Sequence, residues 1–160
     1  MNITKIFVHG LESTSKGTKG IYFQERFPSM IVRDFFGNAQ ERLQQLTTML
    51  EGKSKVVIIG SSYGGLVGAI YACQNPHVVK RLILLAPALD LPDFIPYQEQ
   101  QIAVETFLFH GSNDDIVLPA PVKQIAKTVF SNLTYNLVDD DHSLHHTFTQ
   151  MDWLSLLDNF

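Results

Sequence analysis

Apolar residues along the chain gather into short runs, separated by longer stretches in which they recur every third or fourth position. The short runs read as strands and the longer stretches as amphipathic helices. Strand-type runs lie at Lys5 to His9, Met30 to Arg33, Val56 to Ile59, Arg81 to Leu85, Thr106 to Phe109 and Leu133 to Val138. Val56-Val57-Ile58-Ile59 has no polar position, as expected of a strand covered on both faces at a sheet centre. Helical patterns occupy Lys19 to Phe27, Ala39 to Leu50, Gly64 to Asn75, Ala120 to Phe130 and Thr147 to Leu157. In the second, Leu43, Leu46 and Leu50 share a side; in the third, Leu66, Val67, Ile70 and Cys73 do, and the pattern stops before Pro76. This alternation predicts a three-layer α/β/α sandwich around a mainly parallel sheet of about six strands. The one long connection, Ala86 to Val104, is broken by Pro87, Pro92 and Pro96, and 88–104 reads as a short lid. No repeat or linker interrupts the pattern, so 1–160 is expected to be a single domain.

The third strand and third helix meet at Gly60-Ser61-Ser62-Tyr63-Gly64, a G-x-S-x-G segment. A sharp strand-to-helix turn strains the backbone of the central serine and leaves no room for a β-carbon two residues to either side. It lifts the Ser62 hydroxyl above the sheet edge, where the helix start favours negative charge. A turn that merely tightens the junction, or a loop that cradles phosphate, is the competing reading. The buried strand before the motif and the helix after it favour a nucleophile.

Serine attacks only when a base takes its proton and an acid orients that base. His142 follows the last strand, in Asp139-Asp140-Asp141-His142-Ser143, and loops at the carboxyl ends of parallel strands share one edge. His145 is the alternative base, although it and His146 are expected to open the final helix. Asp114 is the candidate acid, in His110-Gly111-Ser112-Asn113-Asp114-Asp115 after the fifth strand. Asp115 is its neighbouring rival, and an Asx-turn would account for either aspartate alone. An oxyanion needs two donors, usually backbone amides. Those of Tyr63 and of Leu11, in the loop after the first strand, are the candidates. His9 in that loop reads as a structural histidine, and Glu12 is expected to face solvent.

Together, the His9-Gly10 loop, the Gly60 to Gly64 elbow, His110-Gly111-x-x-Asp114 and Asp141-His142 resemble the α/β-hydrolase superfamily from His9 to the end of the chain. His9-Gly10-Leu11-Glu12-Ser13-Thr14 is also similar to the opening of a group of very small bacterial esterases. The resemblance implies a reduced α/β-hydrolase fold, with the first two edge strands missing and the lid cut down to 88–104. It also implies a serine hydrolase that cleaves carboxylic esters through an acyl-enzyme, using Ser62, His142 and Asp114 and no cofactor. An acyl thioesterase is the rival within that chemistry, and a non-catalytic ligand-binding member of the fold is the rival outside it.

Composition narrows the remaining classes. The chain has 160 residues, 45% of them hydrophobic and 18% charged, with a net charge of −4 and no basic patch, so nucleic acid is not an expected partner. No apolar stretch reaches membrane-spanning length, and Asn2-Ile3-Thr4-Lys5 is too polar to start a signal peptide. With Cys73 as the single cysteine no internal disulfide forms, and a cytoplasmic location is expected. No zinc-type spacing occurs, Asp139-Asp140-Asp141 lacks the other ligands of a calcium loop, and the P-loop and dinucleotide fingerprints are absent. Cys73 reads as a small core residue. Ser13 to Gly20, with Lys16 and Lys19, reads as a surface loop rather than a phosphate or CoA site. Phe94, Ile95 and Tyr97, like Phe35 and Phe36, fit an acyl pocket or the core equally well.

Overall fold

The computed structural model describes residues 2–160. Six parallel strands form one sheet: β1 (Thr4–Val8), β2 (Ile31–Val32), β3 (Val56–Ser61), β4 (Val79–Leu85), β5 (Glu105–Gly111) and β6 (Leu133–Val138). Their spatial order is β2-β1-β3-β4-β5-β6, so the chain reverses direction across the sheet between β2 and β3. The apolar β3 lies inside, with Val56, Val57, Ile58 and Ile59 all 0% exposed. β2 is the corrected boundary: of Met30 to Arg33, only two residues pair with β1. This strand forms an edge and follows a turn in which the Met30 amide donates to the Phe27 carbonyl at 2.9 Å.

Five α-helices cover the sheet: α1 (Thr18–Arg26), α2 (Ala39–Met49), α3 (Tyr63–Gln74), α4 (Pro119–Val129) and α5 (Trp153–Asp158). Strand side chains alternate between two cores. On one face Ile6, Val8, Ile58, Leu82, Leu84 and Leu108 pack against α2, α3 and α4. On the other, Phe7, Val57, Ile59, Ile83 and Leu85 pack against α1 and α5, with Phe23, Phe148 and Trp153 in mutual aromatic contact. The helix α3 is buried from Gly64 to Cys73, which explains its almost continuously apolar sequence. Asn38 starts α2 by accepting from the Glu41 amide while Glu41 reaches back to the Asn38 amide, a reciprocal cap.

The expected helix over Thr147 to Leu157 is shorter and broken. A 3-10 turn at Phe148–Gln150 precedes α5, and Asp152 caps the restart through the Ser155 amide at 3.1 Å. His145 and His146 therefore stand in turns ahead of the helix instead of opening it. The 88–104 connection contains a 3-10 turn at Pro92–Tyr97. Phe94 drives into the core at 0% exposure while Ile95 stays 61% exposed, and Phe35 and Phe36 divide the same way at 2% and 67%. Cys73 is a core residue whose thiol is pushed up to about 12 by burial. No described helix is long and apolar enough to cross a membrane.

Candidate active site

Ser62 sits between β3 and α3 with φ 54° and ψ −114°, a conformation that side-chain-bearing residues rarely adopt. Its amide donates to the Leu85 carbonyl at 2.9 Å, and its carbonyl accepts from Ala88, Gly65 and Leu66. Those bonds hold the strained residue on both sides. The flanking glycines answer to space. A β-carbon on Gly60 would lie 2.6 Å from the Gly64 carbonyl oxygen, and one on Gly64 only 2.1 Å from that of Val8. The β1 loop also lies against Ser62, since a β-carbon on Gly10 would stand 3.6 Å from its Cβ.

Topology brings the other two residues to this edge, because β3, β5 and β6 all end here. His142 Nε2 lies 3.0 Å from Ser62 Oγ, and its Nδ1 donates to Asp114 Oδ2 at 2.7 Å. Asp114 is buried at 4% exposure, and its Oδ1 accepts from the amides of Ile116 and Val117 at 2.9 and 2.8 Å. The two sequence alternatives lie elsewhere. Asp115 is exposed, and His145, also exposed, is paired with Asp141 at 2.5 Å.

Several contacts around this chain of bonds had no sequence signal beyond residue type. Gly111 lets β5 pack directly on the His142 loop, since a β-carbon there would meet the carbonyl oxygens of Asp140 and Asp141 at 2.4 Å. The Asp140 carboxylate ties the loop together by accepting from the amides of Asp141, His146 and Thr147. Burial raises Asp140, but these bonds outweigh it and hold the carboxyl at about 2. Leu144 plugs the core at 0% exposure from a left-handed backbone, φ 53°. From α1, Lys19 donates to the Ser143 carbonyl at 2.7 Å, which corrects the surface-loop reading for this lysine. Burial pulls the Lys19 ammonium down, and Asp141 and Asp140 oppose that shift.

On the β1 side, His9 is structural, as its position suggested. Nδ1 donates to the Gly10 carbonyl at 2.7 Å, and Nε2 accepts from the Phe35 amide at 2.9 Å. Burial, aided by the charge of Arg42, lowers its pKa against the bond to Gly10, matching this neutral tautomer. Glu12 faces solvent. Tyr63 opens α3, where backbone N–H groups have no acceptor within the helix. Leu11 lies in the turn after β1. Behind the elbow, the Arg42 guanidinium is buried and stacks 5.3 Å from the Tyr63 ring, with Nε bonded to the Gly37 carbonyl and Nη1 unpartnered. A surface cavity of about 450 Å³ beside Ser15, Lys16, Arg33 and Asp34 is not lined by Ser62, Asp114 or His142. Among the described residues no group of three or more His, Cys, Asp or Glu is placed to hold a metal ion.

Comparison with known proteins agrees with this architecture. The family profile described as the alpha/beta hydrolase fold matches residues 36–103, the stretch that carries the Ser62 elbow. A search of curated proteins finds no match. Among solved structures, mouse alpha/beta hydrolase domain-containing protein 10 superimposes with a TM-score of 0.77 at 20% identity, covering 94% of this chain and 88% of that one. An alpha-beta serine hydrolase homologue from Coxiella burnetii gives 0.76 at 15% identity over 96% and 83%. The Paleococcus ferrophilus monoacylglycerol lipase gives 0.69 at 15% identity over 84% and 83%. Six parallel strands in this order, flanked by helices on both faces and carrying a strained serine at the β3–α3 turn, give the chain the α/β-hydrolase fold.

Proposed function

We propose that the protein is a serine hydrolase that cleaves carboxylic esters through an acyl-enzyme intermediate. The observation that carries this reading is the unbroken line from Ser62 Oγ to His142 Nε2 at 3.0 Å and from His142 Nδ1 to Asp114 Oδ2 at 2.7 Å. In this reading His142 takes the Ser62 proton as Oγ attacks the ester carbonyl carbon. Asp114 keeps Nδ1 protonated, so the lone pair on Nε2 faces the serine. Amides of Leu11 and Tyr63 receive the oxyanion. His142 then returns its proton to the leaving alcohol, and a water deprotonated by His142 releases the acid from Ser62. The fold similarity to a serine hydrolase homologue and a monoacylglycerol lipase supports hydrolysis as the reaction class.

Exposed side chains favour an ester with an apolar acyl group. Leu11, Phe36, Ile95, Ile116 and Leu118 are 51–71% exposed, and all lie in connections that leave the carboxyl ends of β1, β2, β4 and β5. An apolar rim on the nucleophile's edge of the sheet suits an acyl chain better than a charged substrate.

A fluorophosphonate probe tests the mechanism directly. It is expected to label Ser62 alone, with labelling abolished in Ser62→Ala and slowed at least a hundredfold in His142→Ala. Undiminished labelling of Ser62→Ala would overturn the assignment. Parallel turnover of p-nitrophenyl butyrate and butyryl-CoA separates an ester preference from a thioester preference.

A further inference from the structure

His110 is fully buried, at 0% exposure, and the mechanism above leaves it without a task. It is the penultimate residue of β5, four residues before Asp114. Its Nε2 stands 3.1 Å from Asp114 Oδ2, the oxygen that also binds His142, and 2.8 Å from the Val117 carbonyl. Both neighbours are acceptors, so Nε2 carries the hydrogen and shares it between them. Nδ1 then bears the lone pair, and it has no partner. The ring is therefore bonded through one edge only, the edge that faces the acid.

We propose that His110 is a positioning residue for the Ser62–His142–Asp114 line, acting through the carboxylate of Asp114. The proposal rests on the hydrolase reading given above. Asp114 receives four hydrogen bonds: the Ile116 and Val117 amides on Oδ1, and His142 and His110 on Oδ2. The two amides and the Val117 carbonyl belong to the turn that Asp114 itself begins. His110 thus ties that turn to the end of β5 and fixes where Oδ2 points. By donating to Oδ2 it also satisfies part of the oxygen's basicity, and so limits how strongly Asp114 stabilises a proton on His142. Removing this donor leaves Asp114 to favour the imidazolium of His142 more strongly. The neutral base then emerges only at higher pH, and the acid limb of the rate profile moves upward. Other charges near His142 act from further off: Lys19 on the Ser143 carbonyl, and the exposed Asp141–His145 pair on the same loop.

Side-chain geometry supplies the controls. A glutamine amide reaches to about where Nε2 stands, whereas an asparagine amide reaches only the level of the unpartnered Nδ1. His110→Gln is expected to keep the parental kcat and pH profile for p-nitrophenyl butyrate. His110→Asn and His110→Leu are expected to lose about tenfold in kcat with KM little changed, and to shift the acid limb up by about half to one pH unit. Folded Asn and Leu variants with the parental kcat and profile would overturn the proposal, as would a Gln variant as impaired as the Asn one. Should the Leu variant fail to fold, the Gln–Asn pair decides. Nitrogen-15 histidine NMR of the parent protein gives a test that needs no variant and no substrate. His110 should be protonated at Nε2 and bare at Nδ1, and the opposite tautomer refutes the assignment. A parent whose Ser62 takes up no fluorophosphonate counts against the hydrolase reading instead, and leaves the tautomer measurement informative.

Discussion

Position 62 holds a serine in backbone that favours glycine, and position 140 holds a carboxylate bonded to three amides of its own loop. Both residues are fixed by their surroundings more than by intrinsic preference. For Asp140 this has a pH signature. Its folded carboxyl sits at about 2, below the ordinary aspartate value of about 3.9. A depressed acid stabilises the fold above the unfolded value, and that contribution drains away as pH falls through the folded one. The thermal midpoint of the parent is therefore expected to drop between about pH 4 and pH 2 more steeply than that of Asp140→Asn, which does not titrate. Equal slopes in a calorimetric pH series would show that Asp140 is not a contributor. At the same scale, Asp114 and Asp115 are adjacent and chemically identical, yet one is buried under His142 and the other faces water.

At the scale of elements, the β5 terminus and the loop after β6 behave as one unit. Ser112 donates to the Val138 carbonyl at 2.7 Å and Asn113 to that of Asp140 at 3.0 Å, while Gly111 leaves no gap between the two backbones. Gly111→Ala is expected to cost about 1–3 kcal/mol, because the β-carbon must displace the carbonyls of Asp140 and Asp141. It should also depress p-nitrophenyl butyrate turnover by shifting His142. Gly52 is the control, with φ 75° and nothing within 4 Å of an added β-carbon. Gly52→Ala is expected to lower stability by about 1 kcal/mol with turnover unchanged. Denaturant titrations alongside rate measurements check both, and a Gly111→Ala protein of parental activity would show that the loop tolerates the displacement. Element boundaries that the periodicity missed lie where local bonding competes with helix formation. The Asp152 cap restarts α5, and the Met151 region ahead of it stays extended.

Across the whole molecule, the parallel arrangement sends connections from every strand's carboxyl end to one edge, and five of the exposed apolar side chains lie in those connections. If they receive the acyl group, kcat/KM should climb from p-nitrophenyl acetate to the hexanoate by about three- to fourfold per added methylene. Ile116→Ser and Leu118→Ser should flatten that rise while leaving acetate hydrolysis near the parental rate. A chain-length series that is flat or falling in the parent would remove the rim from the substrate site.

What the sequence determined by itself is the set of features written in nearest neighbours. Strand and helix periods, the apolar β3 and the glycines of the Ser62 turn all act within a few residues, so six strands, five helices and their order were legible. The parallel sheet followed from that order, and it placed the segments bearing Ser62, Asp114 and His142 at one edge. Only the tertiary structure decided which side chains meet there. Ser62 and His142 are 80 positions apart, and Asp114 and His142 are 28. The choice of Asp114 over Asp115, of His142 over His145, and of Phe94 over Ile95 for the core depends on which of two neighbouring side-chain vectors points inward. Packing across elements sets that direction, and no local propensity encodes it. The same holds for the partners of His110, Lys19 and Arg42, since only the fold brings an acid, a loop carbonyl and an aromatic ring against them.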